Sequence, residues 1–393
     1  MQPKTHLLFI DGLRALAALF VVAHHALLQF EYVSYSYPPL SRFQAWTVMP
    51  FYSGHYAVDL FIVLSGFCLM LPVVGNNYQL QGGIGYFFKR RVIRILPPYY
   101  ITLLISFILI TTCIGDKTNT HWDVSIPVTF KDIYTHLFLI QDVFKSTAPK
   151  INHSLWSVSV ECRIYLFFPF MLLIWREYGL LKLTLLSLAG CVFTFVLLNY
   201  LSITYSDINL ALAGFTPYIL LFLMGMIAAD FSSRKNTPAL LKNNILWLVT
   251  LILTATIAFR FKDKFYAAGA IGIHSNDIIF GISCFSLLMI CLHASKSWLT
   301  KTLSNRVLVF IGSFSYSIYL LHAPLLAVLY KFILVPIKLS LYTSEVLLIV
   351  FGTLICTGIA YVFFIFFEKP FLNMGKKKTI AQTEVNAVVN PAL

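Results

Sequence analysis

The chain has 393 residues, of which 59% are hydrophobic and 11% charged, and its formal net charge is +13. Soluble domains carry about 25% charged residues, so a chain this apolar, with mean hydropathy +0.79, cannot cover itself with polar surface. The composition argues for a polytopic membrane protein, and the basic excess reads as a topology signal in short loops, with no nucleic acid as partner. A membrane helix needs about 20 mostly apolar residues. Ten runs meet that need, at about 7–29, 53–74, 94–114, 154–175, 180–201, 208–229, 243–260, 275–293, 307–332 and 343–367.

The fold class expected is therefore all-α: a multi-pass membrane protein with about ten transmembrane helices and both termini cytoplasmic. The basic clusters KRRVIR (89–94), REYGLLK (176–182), SSRKN (232–236), SKSWLTKTLSNR (295–306) and KKK (376–378) then fall on one side, as the positive-inside rule requires. Residues 1–370 form one transmembrane domain and 371–393 a short basic and polar cytoplasmic tail. No internal repeat or second domain is visible. The longest nonhelical stretch, about 115–153, falls on the outer side. Its His121, Asp123, Asp132 and His136 match no metal template, so they read as solvated and no metal site is expected. The seven cysteines stand singly in apolar runs without CxxC spacing, as small buried hydrophobes outside any disulfide framework. The first apolar run carries charges in its interior, which argues against a removable signal peptide.

A charge inside the bilayer is costly, so each intramembrane ionisable group is a functional candidate. In the first run, Arg14 and His25 are eleven residues apart, about 20° from one face at 100° per residue. His24 stands about 80° away from Arg14 by the same count, and Asp11 lies about 40° from His25. Asp11, Arg14 and His25 therefore share a stripe and His24 does not. Along the axis Arg14 and His25 are about 16 Å apart, which puts Arg14 near the cytoplasmic surface and His25 deep. By the same rise, Asp59, Glu161 and His322 reach roughly the depth of His25, with Tyr316 and Tyr319 on the way. Exposing each to lipid would cost several kcal/mol, so a shared polar cavity is the cheaper arrangement. A histidine beside a carboxylate is the pairing a general base needs. Arg91 and Arg94 are three apart, and neighbours if helical. They could clamp a phosphate, although spacing alone favours a topology-setting loop or a patch for anionic membrane lipid.

Five stretches, in this order, take the reading further: DGLRALAALFVVAHH with Arg14 and His25, VDLFIVLSGF, RRVIR with Arg91 and Arg94 followed by PPYY, LWSVSVE ending at Glu161, and SYSIYLLHAPL. Together they make the chain similar to the acyltransferase-3 family of integral membrane acyltransferases, whose bacterial members O-acylate surface glycans. The resemblance covers residues 9 to about 325. It implies a ten-helix core in the bacterial cytoplasmic (inner) membrane, an acyl-CoA donor, acetyl-CoA above all, and a histidine acting in transfer. Carried onto this chain, His25 is the expected base, with Asp59 or Glu161 orienting it or holding the acceptor. Arg91, Arg94 and Arg14 are expected to meet the donor's phosphates. Trp156, Tyr316, Tyr319 and His322 are expected to line or support the cavity, and Asp11 to support it. The acceptor is expected to be a glycan or lipid-linked saccharide. An acyl-enzyme on His25 or a tyrosine stays open. Cys162 and Arg163 depart from the family's usual residues after Glu161, and some relatives carry an added esterase-like domain, so a separate partner protein is an alternative to acting alone. A proton-coupled transporter or flippase is the competing reading, and a noncatalytic receptor a weaker one.

Overall fold

The computed structural model describes residues 7–31, 39–115, 117–213, 217–234 and 238–373. The KKK run at 376–378, most of the expected tail, and Lys235 and Asn236 of the third basic cluster lie outside these residues. The described chain is helical, with no β-strand beyond one isolated bridge, Phe144–Ile208. In order the helices are α1 (Leu8–Leu28), α2 (Arg42–Val48), α3 (His55–Val74), α4 (Gly83–Ile114), α5 (Phe130–Leu137), α6 (Trp156–Thr204), α7 (Tyr218–Ser233), α8 (Asn244–Arg260), α9 (Lys262–Ala267), α10 (Gly269–His293), α11 (Trp298–Leu303), α12 (Arg306–Gly312), α13 (Ser315–Ile337) and α14 (Leu341–Asn373). Seven helical stretches among the described residues are long and apolar enough to cross a membrane. Two more, α7 and α8, are apolar but shorter, and the 49-residue α6 is interrupted at Gly179, whose φ is 83°. Large apolar side chains such as Leu181, Phe193, Ile203, Ile245 and Phe366 stand exposed, as a surface built for lipid tails would have them.

Lipid tails are as apolar as leucine, so membrane helices associate through close packing at small residues. Glycine supplies that here. A Cβ on Gly66 of α3 would lie 2.0 Å from the Phe222 carbonyl oxygen of α7, and one on Gly225 of α7 would lie 1.9 Å from the Val63 oxygen of α3. The two backbones touch at a reciprocal crossing. A second crossing joins α1 to α11 and α12. There a Cβ on Gly12 would meet the Leu303 oxygen at 1.8 Å, and one on Gly312 the Asp11 oxygen at 2.0 Å. Ala15, Ala18, Val22, Ala26 and Leu27 of α1 are fully buried, so α1 is ringed by protein: α3, α11, α12, α13 and α14 all pack on it.

The helix boundaries differ from the apolar runs at informative places. The third helix begins at Gly83 rather than near 94, so Arg91 and Arg94 stand on a helix and not in a loop. The run 307–332 is broken after Gly312, giving α12 and α13. The last helix continues past 367, and Glu368 is buried inside it, accepting from Ser317 Oγ at 2.5 Å. The outer stretch near 115–153 contains α5 and several single turns, and it packs inward on the helix ends. Trp122, Asp132, His136, Asp142, Asn152 and His153 are all buried, which corrects the expectation that this stretch is solvated.

Candidate active site

His25 stands at the centre of a cluster of imidazoles. Its Nδ1 lies 3.1 Å from His153 Nε2, one ring donating and the other accepting. Its ring centre is 4.8 Å from that of His322 and 4.9 Å from that of His153. His24 and His121 are next, at 5.0 and 6.4 Å. The two neighbours on α1 face different partners. His24 turns to the 49–54 segment, where its Nδ1 is 2.9 Å from the Phe51 carbonyl and its ring fills the space above Gly54. His25 turns to α13 and the outer loop. His153 is tied from behind: its Nδ1 is 3.0 Å from Ser125 Oγ, which in turn accepts from the His153 backbone N–H. His322 is fully buried and its Nδ1 donates to the Tyr319 carbonyl at 2.7 Å. Burial, and then the neighbouring His121, hold the His153 pKa well below the ordinary histidine value, so this ring is neutral. Neutral imidazoles tied in series fix each other's tautomers, which is what a general base requires.

Below the imidazoles lies a slender cavity of about 50 Å³ whose polar lining includes Arg14, Ser65, Ser157, Glu161, Tyr316 and Tyr319. Glu161 accepts from Ser65 Oγ at 2.5 Å and from the Tyr165 hydroxyl. Arg14 and Arg91 are both within electrostatic reach of it. Arg91 lies over the Tyr165 ring at 5.9 Å, and its Nε, like that of Arg14, is buried without a hydrogen-bond partner. Arg94 neighbours Arg91 and Glu368. Tyr319 links this cavity to the histidines: its hydroxyl meets Ser157 Oγ at 2.6 Å and the Ser154 carbonyl at 2.8 Å, and its ring lies 5.7 Å from His322. Tyr316 donates to the Ile95 carbonyl of α4 at 3.1 Å.

The structure thus brings Arg14, Glu161, Tyr316 and Tyr319 to one cavity and His322 to His25. Asp59 and Trp156 go elsewhere, to a second polar group around His55 and Asp277. Asp11 sits where α1 meets α12. His153, Ser125 and Glu368 belong to the polar interior although only burial marks them, and the half-buried His121 borders it. His121 is held by Glu31 at 2.8 Å. Arg163, one of the departures from the family pattern, forms an ion pair with the buried Asp142 and donates to the Leu212 carbonyl at 3.2 Å.

Two buried groups in the outer loop respond to pH in opposite directions. Burial pushes His136 down to about 4, its Nδ1 bonded to the Asp132 carbonyl and its Nε2 without a partner. The unfolded chain takes up a proton near 6.5 that the folded loop refuses. Stability therefore falls as pH drops from about 6.5 towards 4, by up to about 3 kcal/mol. Burial raises Asp142 to about 6 against the opposing pull of Arg163. Its contribution has the opposite sign and is lost as pH rises from about 4 to about 6. Melting curves of wild type and His136→Gln between pH 7 and 4.5 separate the two. Wild type should lose more melting temperature on acidification than the variant, and equal losses would place the acid sensitivity elsewhere.

A family model described as an acyltransferase domain matches residues 7–365. The O-acetyltransferase OatA of Staphylococcus aureus (strain NCTC 8325 / PS 47) is 23% identical over 394 residues, covering 96% of this chain and 59% of its own length. A Bacillus subtilis (strain 168) protein named "Putative peptidoglycan O-acetyltransferase YrhL" is 26% identical over 342 residues, 81% of this chain and 48% of its own. The chain spans about half the length of the curated relatives it matches. No solved structure matches it.

Proposed function

The chain belongs to the acyltransferase family, and from that premise we propose that it is a membrane O-acyltransferase moving an acetyl group from cytoplasmic acetyl-CoA to a hydroxyl of a surface glycan or glycolipid. Both relatives described above are named O-acetyltransferases, and one name specifies peptidoglycan, which supports a glycan as the acceptor class. The observation that carries the reading is a line of polar side chains running from Arg14 and Glu161 through Tyr319 to His322, His25 and His153. An elongated donor fits such a line. Its phosphates meet Arg91 and Arg94, with Arg14 further in, and its thioester arrives near His25. The acceptor hydroxyl gives its proton to His25, its oxygen attacks the thioester carbonyl, and the departing thiolate takes the proton back. His153 holds the imidazole in one tautomer. Glu161, held by Ser65 and Tyr165, balances the half-buried Arg14. The cavity is slender, so Tyr316 and Tyr319 must yield for the arm to pass. Were α6 divided at Gly179 and the shorter α7 and α8 counted as spans, the seven helices long enough to cross would become ten, the number the family resemblance implies.

CoA binding tests the donor half. CoA at about 100 times its Kd should stabilise the purified protein by about 2.7 kcal/mol. The Arg91→Ala/Arg94→Ala double variant should lose most of that shift. Absence of any CoA effect, with movement of a labelled glycan across vesicles, would favour a transporter instead.

A further inference from the structure

Apart from the histidine line, α3 and α10 enclose three ligating side chains. His55 and Asp59 are four residues apart on α3 and share a face. Asp277 faces them from α10. One ligating atom from each lies within 4.8 Å of the others. His55 Nε2 is 2.9 Å from Asp277 Oδ1. Asp59 and Asp277 are fully buried, yet both oxygens of Asp59 and Oδ2 of Asp277 have no hydrogen-bond partner. Among the described residues no lysine or arginine forms an ion pair with either acid. Two uncompensated carboxylates in such a place are costly.

We propose that His55, Asp59 and Asp277 bind a divalent transition-metal ion that joins α3 to α10. One imidazole nitrogen and carboxylate oxygens suit Zn²⁺ or Mn²⁺. With bonds of about 2.1 Å, adjacent ligands around such an ion stand about 3 Å apart, close to the His55–Asp277 spacing. The outer contacts are those that fix ligands in place. The Trp156 ring stacks on His55 at 6.0 Å and 18°. The Tyr218 hydroxyl lies 3.4 Å from His55 Nε2. Next to Asp277, Asn276 donates to the Tyr56 hydroxyl at 2.8 Å. Three protein ligands leave a coordination position for water or a hydroxyl, and His55, 22% exposed at its side chain, opens towards solvent. The ion bridges the two helices and neutralises the pair of acids, a role independent of acyl transfer.

The test uses the full chain, purified through a tag without histidines and stripped with a chelator. Zn²⁺ and Mn²⁺ are then offered separately, and bound metal is measured by mass spectrometry alongside the melting temperature. Wild type should retain about one ion per chain and melt higher with it. Asp59→Asn and Asp277→Asn should lose both the ion and the shift, whereas Tyr218→Phe, which keeps all three ligands, should retain them. The proposal is overturned if wild type binds neither ion and gains no thermal shift, as two acids holding only protons would behave. It is equally overturned if both Asn variants bind as wild type does.

Discussion

Membranes carrying His25→Ala should lose about 10³-fold of glycan acetylation, while His24→Ala membranes should stay within about tenfold of wild type. Helical phase and contacts agree on which of the adjacent histidines is which. His25 meets His153 and His322, and through His322 and Tyr319 it reaches the cavity lined by Arg14. His24 meets a backbone carbonyl and covers a glycine, so its removal leaves one acceptor unpaired and a small gap. His153→Gln should fall between them, because it takes away the orienting ring and not the base. Its loss should appear in kcat, with KM for the donor unchanged. A dead His24 variant beside an active His25 variant would remove His25 from the chemistry.

Gly225→Leu should leave almost no folded protein in the membrane. The reciprocal crossing of α3 and α7 has no room for a Cβ, still less a branched side chain: the nearest obstacle on either side is backbone, at 1.9 and 2.0 Å. Backbone cannot rotate aside as a flexible side chain does, so the helices must separate. Separation strips the contacts by which membrane helices associate and costs more than about 4 kcal/mol. It also displaces Asp59 and Ser65, which share α3 with Gly66. Gly358 of α14 is exposed and has nothing within 4 Å of a built Cβ, so Gly358→Leu should accumulate normally. Fluorescence-detected size exclusion reads both, and equal peaks for the two variants would show that the crossing tolerates distance.

The apolar runs announced most of the helices because lipid imposes length and composition on a spanning segment. The phase argument on α1 concerns one rigid helix, and on that helix His24 and His25 meet different partners. What was not legible is lateral position. Depth along the axis put Asp59 in one layer with His25, but depth does not say which helices are neighbours, and Asp59 faces Asp277 of α10 instead. The outer stretch misled for a different reason. Its polar residues look solvated one by one, and only packing against the helix ends buries His136 and brings His153 to His25. The last apolar run ends at 367 because a charge usually ends a spanning run; Ser317, distant in sequence, is what keeps Glu368 inside the helix.

The outer loop that carries Trp122, Ser125 and His153, all buried, has a further consequence in the proposed reaction. A thioester beside a general base has two fates, transfer to a sugar or attack by water. With the loop packed beside the imidazoles, the half-buried base is screened in part from bulk solvent while the donor waits. The yield per donor consumed, and not merely the rate, is then set by how tightly that loop closes.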